Sequence, residues 1–336
     1  VIIVGGGTSG LMAAVHAALQ GVSVLVLEKN PKLGRKLLLS GGGRCNVTNR
    51  TSREELIRHI PGNGKFLYSA LNQFNQEDIV HFFESRGVQL KEEDHGRMFP
   101  VTDSARTILE TLLDYCRELG VEIQTNEPVD KLLFDRENQC VKGVLTKSGL
   151  EIQANGVILA TGGRAYPRTG ATGDAYAWAK SAGHTIVRLY PTESPLLSDD
   201  ERITSKAVRG VSLRDVGVTL WDADQKAITY HQMDMIFTHF GYSGPAILRC
   251  SGHVNQWLHQ TGEIVAHLSI DLTPHHTMEQ LKVFAEENRD KQLLTILKNW
   301  MPERMAEVIL SQLKMDHTTA YKQLVHAEVE ALFNKI

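Results

Sequence analysis

The chain has 336 residues, 42% of them hydrophobic and 22% charged, with a formal net charge of −3. Those values suit a globular protein of two or three domains and leave no global signature of nucleic-acid binding. No run approaches the roughly 18 apolar residues of a membrane span. The chain opens on a strand, Val1-Ile-Ile-Val4, that enters a glycine-rich turn and then an apolar helix over 11–19. Gly5, Gly7 and Gly10 fit G-x-G-x-x-G. Gly5 suits the tight turn, Gly7 lets the backbone approach a pyrophosphate, and Gly10 lets the helix pack against the strand. The helix start offers free N–H groups and a positive dipole end to phosphates. A second apolar run, 22–27, ends on Glu28, which is placed to accept from a ribose hydroxyl. Strand, glycines, helix, strand and acid in register predict a dinucleotide site. Residues 1–4 read as a Rossmann strand and not as a signal peptide, and the missing initiator Met implies that a few residues precede Val1.

Residues 31–49 form a glycine-dense loop too long for a simple turn, and loops of that length inside domains are usually functional. Helical patterns follow over 65–75 and 76–86, then a loop containing Met98-Phe-Pro100, then an amphipathic helix over 104–119. Residues 121–125 read as a strand, and 131–135, 140–147 and 151–154 alternate as a β-meander. Residues 156–160 predict a buried strand ending in Ala160-Thr-Gly-Gly163, whose carboxyl end should meet the same ligand as the first turn. Gly170 and Gly173, before a helix over 175–182, serve either chain reversal or close approach to that ligand.

From Val187 the texture changes. Short strands at 217–221 and 227–230 with turn signals predict a small β domain, followed by a polar loop over 237–245, a helix over 246–258 and a strand over 265–272. Residues 277–336 are almost wholly helical in pattern. His239 and Ser243 in the polar loop face a substrate or simply complete a turn, and His275-His276 reads as surface. Cys45, Cys116, Cys140 and Cys250 show no C-x-x-C pairing, so neither a disulfide framework, a zinc site nor a disulfide-reductase centre is indicated, and a reducing cytoplasm is the expected compartment. No second G-x-G-x-x-G signals a separate NAD(P) domain. Between Pro31 and Tyr68 lie Lys32, Arg35, Lys36, Arg44, Arg50, Arg53, Arg58 and Lys65 against Glu54 and Glu55: eight minus two gives +6 on a short stretch. That excess is a solvated face beside a pyrophosphate or a docking surface for a polyanion.

Three segments, GRKLLLSGGGRCNVTN (34–49), TGGRAYPRTGATGDAYAWAKSAGH (161–184) and FTHFGYSGPAIL (237–248), together with the N-terminal fingerprint, resemble the BaiN/YhiN-type bacterial flavoproteins, a family of NAD(P)/FAD-dependent oxidoreductases. The resemblance covers essentially the whole chain. It implies an α/β fold: a glutathione-reductase-like FAD-binding Rossmann domain over 1–188, with an excursion at 50–155, an inserted β-barrel-like domain over 189–273 and a helical subdomain over 274–336. Family members return from the insert to a final strand–helix with a Gly-Glu pair. This chain stops at Ile336 inside the helical subdomain, so that segment lies outside it.

The implied cofactor is FAD, with NAD(P)H as a transient hydride donor. Carried over by position, Gly5, Gly7, Gly10 and Glu28 hold the ADP half. Arg35 and Lys36, with the loop containing Ser40, Gly41, Gly42 and Arg44, lie along the pyrophosphate and flavin side, and Thr161 and Gly162 contact the cofactor from the second strand. Thr8, Ser9, Lys29 and Val129 complete the candidate set. The family chemistry is reduction of a carbon–carbon double bond: hydride passes to the β-carbon and an acid protonates the α-carbon. Cys45 is the first candidate acid, its alternative role being a small thiol packed beside the cofactor; His239 is the second. The acceptor implied is a uracil in ribosomal RNA, giving dihydrouridine, or a small steroid-like enone. A non-catalytic flavin-binding redox or RNA-binding module and a flavin-dependent oxidation remain the alternatives.

Overall fold

The computed structural model describes residues 1–60, 62–135, 137 and 139–336, and divides into two units, Val1–Val187 and Arg188–Ile336. In the first, β1 (Ile2–Val4) is buried at every position, as a strand covered on both faces must be. It leads through α1 (Thr8–Leu19) to β2 (Leu25–Glu28), which pairs parallel to it at Ile2–Leu25, Ile3–Val26 and Val4–Leu27. The helix begins at Thr8, three residues before its apolar pattern, because the glycine turn itself winds into the first turn of helix.

An excursion follows: β3 (Thr48–Asn49), α2 (Arg53–His59), α3 (Tyr68–Gln73), α4 (Gln76–Glu84), β4 (Leu90–Glu93) and β5 (Arg97–Pro100), the strands ordered β3-β5-β4. The predicted loop at 98–100 is therefore a strand. Glu92 stands opposite Met98 in a hairpin whose turn, Asp94–Gly96, places His95 at positive φ, while Thr48 on the other side lies beyond α2, α3 and α4. After α5 (Ala105–Glu118), β6 (Glu122–Thr125) joins β2 in parallel. An antiparallel meander of β7 (Val129–Asp135), β8 (Cys140–Thr146) and β9 (Glu151–Gln153) precedes β10 (Val157–Leu159), and α6 (Asp174–Ser181) follows.

The parallel sheet has the order β10-β1-β2-β6. Side chains alternate across it. Ile3 and Val26 face α1 and α5, joining Leu11, Ala14, Val15, Ile108 and Leu112, whereas Ile2, Val4 and Leu27 face the meander through Val129, Leu132 and Val144. The strand at 157–159, predicted to be buried, is instead an edge strand with Ile158 38% exposed, because among the described residues β10 pairs only with β1.

The second unit contains β11 (Leu196–Leu197), α7 (Glu201–Thr204), β12 (Ser212–Trp221), β13 (Ala227–Phe237), β14 (Gly241–Ser243), α8 (Pro245–Thr261), β15 (His267–Asp271), α9 (Met278–Glu287), α10 (Leu293–Leu297), α11 (Glu303–Gln312) and α12 (His326–Phe333). Its antiparallel sheet runs β11-β14-β13-β12-β15, so the polar stretch predicted as loop contains a short strand paired to β13 at Ile236–Ser243. Val216, Val218 and Leu220 of β12 share one core with Ile247 and Cys250 of α8 and with Leu281, Leu293 and Ile309 of the later helices. Among the described residues no helix is long and apolar enough to cross a membrane.

Candidate functional site

A cavity of ≈ 690 Å³ lies in the first unit at the carboxyl ends of β1, β2 and β10, the position at which open parallel sheets take ligands. At its centre is the turn from β1 into α1. A Cβ on Gly10 would stand 1.9 Å from the Gly5 carbonyl oxygen, so only glycine lets the helix start this close to the strand. A Cβ on Gly7 would meet nothing within 4 Å, which leaves room for a ligand to approach the backbone. No side chain caps α1, so the amides of its first turn are free to donate to an anion.

Glu28 is 8% exposed and is held by the protein. Its Oε2 accepts from Gly6 N–H at 2.8 Å, and its Oε1 accepts from the backbone and side-chain amides of Asn30 at 2.8 and 2.6 Å. A carboxylate offers about four acceptor positions, so Glu28 retains one for a ribose hydroxyl. Asn30 continues the line: its Oδ1 accepts from Arg35 at 2.7 Å, and Arg35 also donates to the Arg168 carbonyl at 2.7 Å. Lys29 is compensated. Its Nζ lies 2.5 Å from Asp174 and 2.6 Å from the Thr172 hydroxyl. Burial pushes the Asp174 carboxyl up, but the hydrogen bonds from Lys29 and Thr172 outweigh it and hold the group below the ordinary value.

The loop after β2 makes a short 3₁₀ turn, Leu37–Gly43, in which Gly41, Gly42 and Gly43 all take positive φ. That backbone, which few side chains tolerate, sends the chain back so that Cys45 N–H donates to the Ser40 carbonyl at 3.0 Å. Cys45 itself has φ 65° and is 3% exposed, yet it lines the cavity. Burial raises its thiol pKa and a hydrogen bond with the Ser40 side chain partly offsets this, so the thiol keeps its proton at neutral pH.

Of the residues singled out from sequence, Gly5, Gly7, Thr8, Ser9, Glu28, Lys29, Arg35, Lys36, Ser40, Cys45, Val129, Thr161 and Gly162 line this one cavity. Gly10, Gly41, Gly42 and Arg44 do not. Gly10 acts by packing. Arg44 is turned away by Glu93 at 2.8 Å and Asp103 at 3.4 Å, with its guanidinium stacked 4.1 Å from the Phe99 ring. His239 belongs to the second unit, where it is exposed with its ring edge-on to Phe240 at 4.8 Å. The +6 stretch is also thinner than its sequence: Arg44, Arg50, Arg53 and Arg58 carry carboxylate partners. Among the described residues, Lys32, Arg35, Lys36 and Lys65 have none, and the first three face the cavity. Sequence reasoning missed Asn30 and the apolar lining from Met12, Phe74, Ile79, Phe83 and Ile108. The signal for Asn30 was its place two residues after the acid; the apolar group comes from three helices and from Phe74 between α3 and α4, and has no local signature.

The volume falls in the range of cofactor pockets. An uncapped helix start, a buried acid with a spare acceptor position and three cations without carboxylate partners suit an adenine dinucleotide with its diphosphate.

Residues 1–241 match the family model described as the HI0933-like protein Rossmann domain, and residues 190–336 match that described as the HI0933-like protein barrel and H2TH domain. The chain is 32% identical over 312 residues to the ribosomal RNA dihydrouridine synthase of Haemophilus influenzae, across 93% of this chain and 74% of that protein. It is 30% identical to the protein of the same name from Escherichia coli, across 100% and 79%. A 3-dehydro-bile acid delta(4,6)-reductase of Clostridium scindens is 30% identical across 86% and 68%.

Proposed function

The chain belongs to the HI0933-like family of FAD-dependent oxidoreductases, and from that premise we propose that it reduces the C5–C6 double bond of a uracil in ribosomal RNA, with NAD(P)H as the electron source. The observation that carries the acceptor is the pair of relatives named for that substrate, which align with 93% and 100% of the chain.

The chemistry that FAD supplies when bound is delivery of a hydride to an electron-poor double bond. The chain's own residues do the rest. The first turn of α1 with Arg35 and Lys36 binds the diphosphate, and Glu28 binds the adenosine ribose. Cys45 is the proton donor. Its thiol gives a proton to C5, the carbon next to the C4 carbonyl, as C6 gains the hydride, and the resulting thiolate recovers a proton from water. The sum is uracil, NAD(P)H and one proton to dihydrouracil and NAD(P)⁺. A neutral thiol is what this step needs, and burial keeps Cys45 neutral. Reduction of a steroid-like enone is the second reading, favoured by the apolar lining from Met12, Phe74 and Phe83.

The test is anaerobic turnover of the FAD-loaded protein with NADPH and either unmodified ribosomal RNA or a steroid enone. Dihydrouridine formed from RNA alone supports the proposal; saturation of the enone alone replaces it with the second reading. Cys45→Ser should slow acceptor reduction by roughly 100-fold, the usual worth of a positioned acid, while leaving reduction of the flavin by NADPH intact. Undiminished turnover removes Cys45 from the role.

A further inference from the structure

The lining of the cavity is close to electrically balanced once a diphosphate is in it. Lys29 cancels Asp174, Lys32, Arg35 and Lys36 contribute three positive charges, and Glu28 and Glu127 contribute two negative; the diphosphate adds about two more negative charges. A second set of cations lies outside that account. From Thr161 to Gly173 the chain carries Arg164 and Arg168 and no acid. Neither arginine has a carboxylate within ion-pair distance among the described residues, and both are exposed. They flank Tyr166, which is 70% exposed and sits at φ 56°, a conformation that L side chains rarely adopt.

This loop is fixed in place. Pro167 opens a 3₁₀ turn over Pro167–Thr169, whose Thr169 donates to the Tyr166 carbonyl from both its N–H, at 2.9 Å, and its hydroxyl, at 2.7 Å. Arg35 grips the Arg168 carbonyl at 2.7 Å and is itself tied through Asn30 to Glu28. The loop also emerges directly between Gly162 and Thr169, both of which line the cavity. An aromatic ring in solvent on a held backbone, a cation to either side of it in the chain and a position at the rim of a redox cavity match what a single-stranded nucleic acid offers: a base face to stack on and phosphates on both sides.

We propose that residues 164–168 form the RNA-contact element of this protein, Tyr166 stacking on a base next to the target uridine while Arg164 and Arg168 take the adjacent phosphates. The inference rests on the ribosomal RNA reading above. Stacking there would stabilise the unpaired conformation that a uracil must adopt to enter a cavity, since a base inside a helix cannot reach a buried site.

The experiment uses FAD-loaded protein, with unmodified ribosomal RNA transcribed in vitro as the probe, and measures binding across a salt series together with kcat and KM for dihydrouridine formation. Flavin absorbance near ~450 nm reports that each variant is folded and loaded. Tyr166→Ala should weaken RNA binding roughly ten-fold or more and Tyr166→Phe should restore it, because stacking needs the ring and not the hydroxyl. Arg164→Gln combined with Arg168→Gln should lower the slope of log K against log salt by about 1.4, the worth of two single-strand phosphates. In both cases the loss should fall on KM. Wild-type binding matched by all variants overturns the loop assignment and leaves the RNA reading standing. A wild-type protein that neither binds nor reduces the transcript overturns both.

Discussion

Glu28 shows how one side chain serves the fold and a ligand together. Three of its acceptor positions are filled by Gly6 and Asn30, so the carboxylate shapes the β1–α1 turn before any ribose arrives. Glu28→Ala removes both roles. Hydrogen bonds to charged groups are worth about 1.5–3 kcal/mol, so FAD affinity should fall by roughly 10- to 100-fold, read by flavin fluorescence quenching on titration; unchanged affinity would take Glu28 out of the site. The acid was legible in the sequence because its distance from the glycines is fixed by one helix and one strand. Its partners were harder to see. The line Glu28–Asn30–Arg35–Arg168 ends more than a hundred residues away, and no local pattern announces a contact to a distant carbonyl. Arg44 illustrates the reverse error: it sits among loop glycines, but Glu93, Asp103 and the Phe99 ring, all from a separate part of the chain, turn it from the cavity.

At the scale of elements, the β1–α1–β2 unit was readable because its strands are neighbours in sequence and its helix follows at once. Gly10 is the tightest point of that unit. A methyl group there would stand 1.9 Å from the Gly5 carbonyl oxygen, and the obstacle is backbone that cannot rotate away. Gly10→Ala should therefore lift the start of α1 off the strand, cost roughly 1–3 kcal/mol of stability and weaken FAD binding along with it. Thermal unfolding and flavin titration check both, and a variant with native melting and native affinity would show that the turn tolerates the change. Two strands depart from their sequence reading, each for its own reason. β5 reads as a loop from sequence although Met98 and Phe99 are buried: its hairpin with β4 turns through Asp94–Gly96 with His95 at positive φ, and its other partner, β3, lies beyond α2, α3 and α4. β10 was expected to be buried on composition alone, while edge position is a property of the sheet.

Across the whole molecule, a net charge of −3 hides a cavity lined by Lys32, Arg35 and Lys36 without carboxylate partners, with Arg164 and Arg168 at its rim, a distribution that depends on which arginines find carboxylates and so is settled only by folding. Cysteine usage hides something similar. The sequence shows four unpaired thiols and suggests a reducing compartment, but burial separates them physically. Cys116 in the first unit is pushed up to about 11 and Cys250 in the second to about 12, each by desolvation. A thiol whose folded pKa is raised holds its proton where the unfolded chain has lost it. Its contribution to stability is therefore complete below the unfolded value of about 8.5 and is lost progressively as pH rises toward the folded value. By about pH 10 each of these thiols should have given up about 2 kcal/mol. Because the two residues sit in different cores, each replacement should act on its own unit. Cys250→Ala should lower the melting temperature at neutral pH, from the packing it removes, yet flatten the further decline toward alkaline pH, and Cys116→Ala should do the same for the first unit. Parallel melting curves for wild type and both variants across the alkaline range would mean that the buried thiols are not what limits the fold there.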